Sequence, residues 1–195
     1  MRAVRLSAWL AVVLLSVAGV LGTIGSAQER HVPDKEPQAY TMPDSYDVLS
    51  SILEVGAASV DQFVIGAETV QQEMCVKPSD EPDPSIRQAI VNYIEVNRNH
   101  LTLQERFKLS KPYKMITAEE LRQLTRSGWD LFHRTYPNIG GVRYFSAVGF
   151  NESKTIAIVH YSIVANRAAF GETEILQKTE ATWKRLPRGM CQWLS

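Results

Sequence analysis

The chain has 195 residues, few cysteines and no excess of charge of either sign. Its two Cys residues are too few for the disulfide-dense scaffolds of small secreted proteins. Its 21 Lys and Arg residues balance 21 Asp and Glu residues, so net charge favours neither nucleic acid nor an anionic membrane as a partner. Eleven Gly and nine Pro residues exclude a collagen-like or low-complexity chain. A hydrophobic fraction of 45% supplies enough apolar surface for a core, which excludes disorder over the whole chain.

The N-terminus has the pattern of an export signal. Arg2 and Arg5 precede the uncharged run Leu6–Ala27, which ends in the small residues Gly25-Ser26-Ala27. A basic start, an apolar centre and a small-residue end are typical of a secretory signal peptide. An uncleaved membrane anchor is the alternative, because about 20 apolar residues can span a bilayer. We predict a signal peptide over residues 1–27, a secreted or periplasmic mature chain, and no membrane span after cleavage.

The remaining sequence predicts one α+β domain. Residues 28–43 hold three Pro and mostly polar residues, which predicts a linker or disordered lead, and residues 44–195 form the domain. Hydrophobic spacing predicts helices over residues 44–55, 85–100, 118–126 and 129–136 and strands over residues 62–70, 142–150, 155–164, 170–178, 181–186 and 190–194. Most of the helices precede the hairpin-linked strands. We therefore expect N-terminal helices packed on a C-terminal antiparallel sheet of four to five strands.

The helical and strand patterns also predict which side chains fill the core. Trp129, Phe132 and Tyr136 recur at helical spacing and are expected to bury one helix face. The period-two strands add further candidates, namely Val148, Ile158, Trp183 and either Tyr144 or Phe145. We expect these aromatic residues to pack in the core rather than to stack on a ligand.

The C-terminal third carries a recognisable pattern. It has a Tyr-Pro turn with glycine, a strand with Ser-x-Val-Gly-Phe and a Lys…Trp…Trp-x-Ser tail. The residues of this pattern are Tyr136, Pro137, Gly141, Ser146, Val148, Gly149, Phe150, Lys178, Trp183, Trp193 and Ser195. This pattern resembles an uncharacterised family of small secreted bacterial proteins. The resemblance implies no established activity. Members of that family often carry a Cys and Gly-rich stretch after the second strand, where this chain has Ile163–Ala169 and no Cys.

The two cysteines, Cys75 and Cys191, allow two interpretations. In an exported protein they could form a disulfide, but two separate buried thiols are equally consistent with the spacing. Neither has a second Cys or a His close by in the sequence, so no zinc site is expected. The four histidines, His31, His100, His133 and His160, form no local metal-binding pair.

Two residue pairs could supply a nucleophile with its base or a general acid with a base, but neither pair predicts a catalytic site. Ser146 and His160 lie on consecutive predicted strands, but pairing Phe150 with Thr155 would place them on opposite faces of the sheet. A one-residue bulge or slip would instead bring them opposite each other. Glu172 and Glu174 share a strand face and could serve as a general acid and base, but a solvated sheet face is the expected outcome.

Two further short motifs do not predict a site. Gly140-Gly141 lacks the pattern of a phosphate-binding loop, and a strand rather than a helix follows it. Asn151-Glu152-Ser153 matches a glycosylation sequon, which is a pattern that occurs frequently by chance. Gly140 and Gly141 are instead expected to form a structural turn after Pro137.

The sequence therefore assigns no catalytic, cofactor-binding or metal-binding residue and no cofactor. We expect a secreted or periplasmic, non-catalytic domain with a binding or structural role in the cell envelope. Its partner would be an envelope protein or a small ligand, and not nucleic acid. The alternative is a small α+β hydrolase-like enzyme with its site between the helices and the sheet.

Overall fold

Four α-helices and ten strands form the part of the chain that the computed structural model describes, residues 37–166 and 168–195. The helices are α1 (Pro43–Val55), α2 (Pro84–Val96), α3 (Ala118–Thr125) and α4 (Asp130–Thr135). The strands are β1 (Gln38–Ala39), β2 (Phe63–Gly66), β3 (Leu101–Thr102), β4 (Tyr113–Ile116), β5 (Val142–Phe145), β6 (Gly149–Phe150), β7 (Ile156–Val164), β8 (Ala169–Thr179), β9 (Thr182–Arg185) and β10 (Gln192–Leu194). All four predicted helices are present, within a few residues of the expected bounds.

Local signals determine where the helices begin. Both α1 and α2 begin with a proline. Proline lacks an amide N–H, but this costs no hydrogen bond in the first turn, because the first amides of a helix have no partner within the helix. Asp83 caps α2 by accepting hydrogen bonds from the amides of Ser85, at 2.8 Å, and Ile86, at 3.2 Å. Thr117 and Glu120 form a capping box at the start of α3, in which each side chain bonds to the backbone amide of the other residue.

Eight strands form one mixed sheet in the order β10-β8-β7-β5-β2-β4, with β6 pairing with β7 and β9 pairing with β8. β2 runs parallel to both β4 and β5, and the other pairs in this sheet are antiparallel. The α+β class is confirmed. The predicted C-terminal antiparallel sheet of four to five strands is wrong, because β2 and β4 lie between helices in the sequence and join the sheet by parallel pairing. Parallel strands are joined by crossovers rather than hairpins, so no turn signal marks these pairs.

Helices cover both faces of the sheet. Ala157 and Val159 of β7 belong to the same hydrophobic cluster as α1, whereas Ile156 and Ile158 pack against α2. Because alternate residues of a strand point to opposite faces, α1 and α2 lie on opposite sides of the sheet. We call these sides the α1 face and the α2 face. Helices α3 and α4 pack on the α2 face, over a third cluster that includes Val142.

The predicted core is correct in most positions but not in all. Phe132, Phe145, Val148, Ile158 and Trp183 are buried, as expected. Trp129 and Tyr136 are only partly buried, since α4 lies at the surface and turns one side of this stripe to solvent.

The ordered domain begins before residue 44. Residues 38–42 were assigned to the lead segment, but β1 pairs with β3 and Tyr40 is buried beneath α1. The predicted signal peptide over residues 1–27 lies outside the described residues. Within residues 37–166 and 168–195, no helix is both long enough and apolar enough to cross a membrane.

Candidate functional site

A small cavity opens on the α2 face, beside the part of the sheet that α2 covers. Its volume is about 280 Å³. Its walls come from β5, β7, β10 and the segment that follows β2, and the lining residues are Val70, Gln71, Gln72, Tyr144, His160, Ser162, Val164 and Trp193. We refer to this cavity as the His160 pocket.

Strand register creates the floor of the His160 pocket. Tyr144 pairs with Ser162, Ser162 pairs with Gly171, and Gly171 pairs with Trp193. These four residues form one row across β5, β7, β8 and β10, on the same face as His160. The row brings together side chains that are up to 49 positions apart in the sequence.

Gly171 allows the indole ring of Trp193 to lie on the sheet. A Cβ atom at Gly171 would lie 2.5 Å from both Cε2 and Nε1 of Trp193 and 2.7 Å from Cζ2. Three neighbouring ring atoms at nearly equal distance show that the ring covers the glycine with one of its faces. The side chain of Trp193 remains 36% exposed, so the opposite face of the ring is available to the pocket.

His160 forms the inner wall and is neutral near pH 7. The residue is only 1% exposed, and its Nδ1 atom lies 3.2 Å from Thr173 Oγ1. Burial lowers the pKa of His160 to about 4, although the nearby charge of Glu172 acts in the opposite direction. The imidazole ring is within 15° of parallel to the Trp193 indole, with 6.4 Å between the ring centres.

Polar atoms of the pocket are free to bind a ligand. Among the described residues, Nε2 of His160, Oγ of Ser162, Oη of Tyr144 and Nε1 of Trp193 have no hydrogen-bond partner. In that part of the chain, Arg143 Nε is the one fully buried side-chain nitrogen or oxygen atom that lacks a partner. The free atoms of His160, Ser162 and Tyr144 are therefore not completely buried, although His160 as a whole is only 1% exposed and Ser162 only 5%.

A one-residue bulge places Ser146 opposite His160, but the Ser146 hydroxyl bonds to backbone groups rather than to the imidazole ring. The predicted strand over residues 142–150 is interrupted between β5 and β6, where the register against β7 shifts by one residue. At this bulge, Ser146 Oγ accepts a hydrogen bond from the backbone amide of His160 at 2.8 Å and donates to Ala147 O at 2.9 Å. The proposed pairing of Phe150 with Thr155 is wrong, since Phe150 pairs with Ala157. The buried Ser146 hydroxyl replaces ladder hydrogen bonds at the bulge, while the His160 ring bonds to Thr173.

Glu172 and Glu174 do not lie on a solvated face, so that expectation is wrong. Their exposed fractions are 8% and 2%, and both carboxylates pair with Arg185 on the α1 face. The Nε atom of Arg185 donates to Glu174 at 2.8 Å, and Gln192 donates to Glu172 at 2.9 Å. Burial raises the pKa of Glu174 to about 7, and the Arg185 charge only partly offsets this effect. This network joins β8 to β9 and β10.

A disulfide and an ion pair between Arg188 and the buried Glu81 hold the C-terminal segment in place. Cys75 and Cys191 are bonded, which decides between the two interpretations of these cysteines. The bond joins the segment after Gln71 and Gln72 to the start of β10, so it connects two walls of the His160 pocket. Nearby, the fully buried Glu81 accepts hydrogen bonds from Arg188 at 2.8 and 3.2 Å.

Of the other histidines and the sequon asparagine, His100 and Asn151 take part in hydrogen bonds. His100 Nδ1 lies 2.8 Å from Thr69 O, and His133 is exposed on α4, whereas His31 lies outside the described residues. The Asn151 side chain accepts hydrogen bonds from the amides of Thr155 and Ile156, so the sequon asparagine is part of a turn. No cluster of three or more metal-ligating side chains occurs in the described part of the chain.

The comparisons give no family assignment. No protein-family model, curated protein or solved structure matches the chain. The resemblance to an uncharacterised secreted family thus stays a prediction.

Proposed function

We propose that this protein is an exported, non-catalytic binding domain and that the His160 pocket takes a small, uncharged ligand. The observation that carries the proposal is the row Tyr144–Ser162–Gly171–Trp193, in which Tyr144, Ser162 and Trp193 line one cavity with aromatic surface and free polar atoms and Gly171 lies beneath the indole. Apolar walls with a few convergent polar groups are typical of small-molecule sites.

The neutrality of the lining supports an uncharged ligand. None of the described residues that line the pocket is Lys, Arg, Asp or Glu. His160 adds no charge near pH 7, because burial keeps its pKa at about 4. A charged ligand would lose hydration without gaining an opposite charge, which is costly in a partly buried site.

Two features support export. The N-terminal sequence has the pattern of a secretory signal, and the Cys75–Cys191 disulfide is typical of an oxidising compartment. A role in the cell envelope, with either a small ligand or an envelope protein as partner, is consistent with both features. They support this location without identifying the partner.

The absence of a proton-transfer pair in the described residues favours binding over catalysis. The Ser146 hydroxyl bonds to the backbone, and the His160 ring is hydrogen-bonded to a threonine rather than to a carboxylate. Ser162 lies two residues from His160 on the same strand face, so the hydrolase alternative would have to use this pair. Hydrolysis of an aryl ester that is lost in Ser162→Ala would support that alternative.

Equilibrium binding with a blocked pocket tests the proposal. Native mass spectrometry of residues 28–195 against a panel of neutral sugars, nucleosides and amides, and of charged phosphates and polyamines, should detect a neutral compound. Ser162→Leu places a larger apolar side chain in the cavity and should abolish this binding. Ser127→Leu, at an exposed turn away from the pocket, is the matched control and should bind normally. Binding of charged compounds alone, or equal binding by Ser162→Leu, would contradict the proposal.

A further inference from the structure

We propose that the ligand of the His160 pocket is a neutral sugar ring that stacks on Trp193 beside His160, an inference that rests on the proposed binding function. A sugar ring has one apolar C–H face and a rim of hydroxyl groups. Each hydroxyl both donates and accepts hydrogen bonds. The pocket has a matching arrangement of flat apolar surface and neutral polar rim.

The flat surface comes from the indole ring of Trp193. The Trp193 indole has one face against Gly171 and the other face turned outward. The His160 imidazole beside it lies within 15° of the same orientation, but it is buried and supports the indole rather than adding open surface. Register fixes this platform, because Trp193 pairs directly with Gly171 and any larger residue at position 171 would displace the indole. The platform is therefore formed before a ligand binds, which reduces the entropy cost of binding.

The polar rim is neutral and can both donate and accept. Tyr144 Oη and Ser162 Oγ can each donate or accept a hydrogen bond, and Trp193 Nε1 can donate. A purely aromatic ligand would leave these groups without partners, whereas the hydroxyls of a sugar can pair with them.

The size of the cavity favours one ring. A volume of about 280 Å³ lies just below the range of roughly 300–1,000 Å³ for pockets that enclose drug-sized ligands. Because Trp193 is 36% exposed, the pocket is open on one side. A single terminal or internal ring of a longer glycan can therefore enter while the neighbouring rings remain in solvent.

Isothermal titration with defined oligosaccharides tests the inference. The probes are the hexasaccharides of glucose and of N-acetylglucosamine, with adenosine and indole as neutral compounds that are not sugars and glucuronate as a charged sugar. Each probe is titrated to about 10 mM, which detects millimolar Kd values. We expect a neutral oligosaccharide to bind, and glucuronate to bind at least tenfold more weakly than the best neutral sugar.

Variants of the platform and the rim make the test specific. Trp193→Ala should weaken sugar binding at least tenfold, and Trp193→Phe, which keeps an aromatic ring, should weaken it less. Tyr144→Phe and Ser162→Ala should each weaken it about 2–10-fold, as expected for the loss of one hydrogen bond. Leu194→Ala is the matched control, because Leu194 is the next residue of β10 and lies on the α1 face at 77% exposure.

The outcomes separate the two proposals. If adenosine or indole binds in a Trp193-dependent manner and no sugar does, the pocket is a binding site but the sugar inference is wrong. If no neutral probe binds, or if binding is unchanged in Trp193→Ala, the sugar inference is likewise contradicted. If the wider panel also gives no binding that Ser162→Leu abolishes, the proposed function falls with it.

Discussion

Two buried ionisable groups on opposite faces of the sheet should give the stability of this domain opposing dependences on pH. Burial lowers the pKa of His160 to about 4 from its ordinary value of 6.5. Burial raises the pKa of Glu174 to about 7 from its ordinary value of 4.5. Replacing each residue with glutamine removes its titration and should reveal the contribution of the other.

The sign of each contribution follows from which state binds the proton. As pH falls from 6.5 to 4, the unfolded chain protonates His160 while the folded chain does not, so stability is lost. As pH rises from 4.5 to 7, the unfolded chain ionises Glu174 before the folded chain does. The Glu174 contribution to stability is therefore lost as pH rises. A pKa difference of 1 corresponds to about 1.4 kcal/mol, so each group contributes a change of about 3 kcal/mol across its window.

Urea denaturation at several pH values measures these contributions. From pH 4 to pH 6.5, the wild-type free energy of unfolding should rise by about 3 kcal/mol relative to that of His160→Gln. From pH 4.5 to pH 7, it should fall by about 3 kcal/mol relative to that of Glu174→Gln. Ser127→Ala, which changes an exposed residue that does not titrate, should give a difference that does not vary with pH. Differences that do not vary with pH for His160→Gln and Glu174→Gln would refute the reasoning.

Other consequences concern the disulfide, the bulge and export. Replacing Cys75 and Cys191 with serine should lower the free energy of unfolding by about 2–5 kcal/mol in urea denaturation, because the disulfide closes a long loop in the unfolded chain; a loss below about 1 kcal/mol would contradict this. Ser146→Ala should cost about 1–3 kcal/mol by leaving the His160 amide unpaired, but ligand affinity should be unchanged; unchanged stability would rule out the role of Ser146 at the bulge. Mass spectrometry of the protein from its native host should show an N-terminus near Gln28, and an intact Met1 on a cytoplasmic protein would contradict export.

Elements with local signals could be predicted from the sequence. The Thr117–Glu120 capping box and the prolines at the starts of α1 and α2 depend on neighbouring residues only, and these helices begin within two residues of the predicted positions. The long strands β7 and β8 coincide closely with predicted strands, although both of their faces are buried and their burial does not alternate. β4 was missed because it has four residues, follows Pro112 and gains its pairing with β2 from a distant part of the chain.

The His160 pocket could not be predicted in the same way. His160 and Ser162 share a face of a predicted strand, and this spacing is the one local signal of the site. The contribution of Trp193 depends on the pairing of β10 with β8, which the sequence does not specify. Likewise, Glu172 and Glu174 were expected in solvent, because the sequence does not show that Arg185 and Gln192 cover them.

The most direct test of the binding claim is the indole N–H signal of Trp193 in a ¹H–¹⁵N NMR spectrum of residues 28–195. This segment has three tryptophans, Trp129, Trp183 and Trp193, so the two other indole signals serve as internal controls. The account predicts that a neutral ligand shifts the Trp193 signal in a saturable manner and leaves the signals of Trp129 and Trp183 in place. Saturable binding that shifts Trp129 or Trp183 and leaves Trp193 unchanged would contradict it.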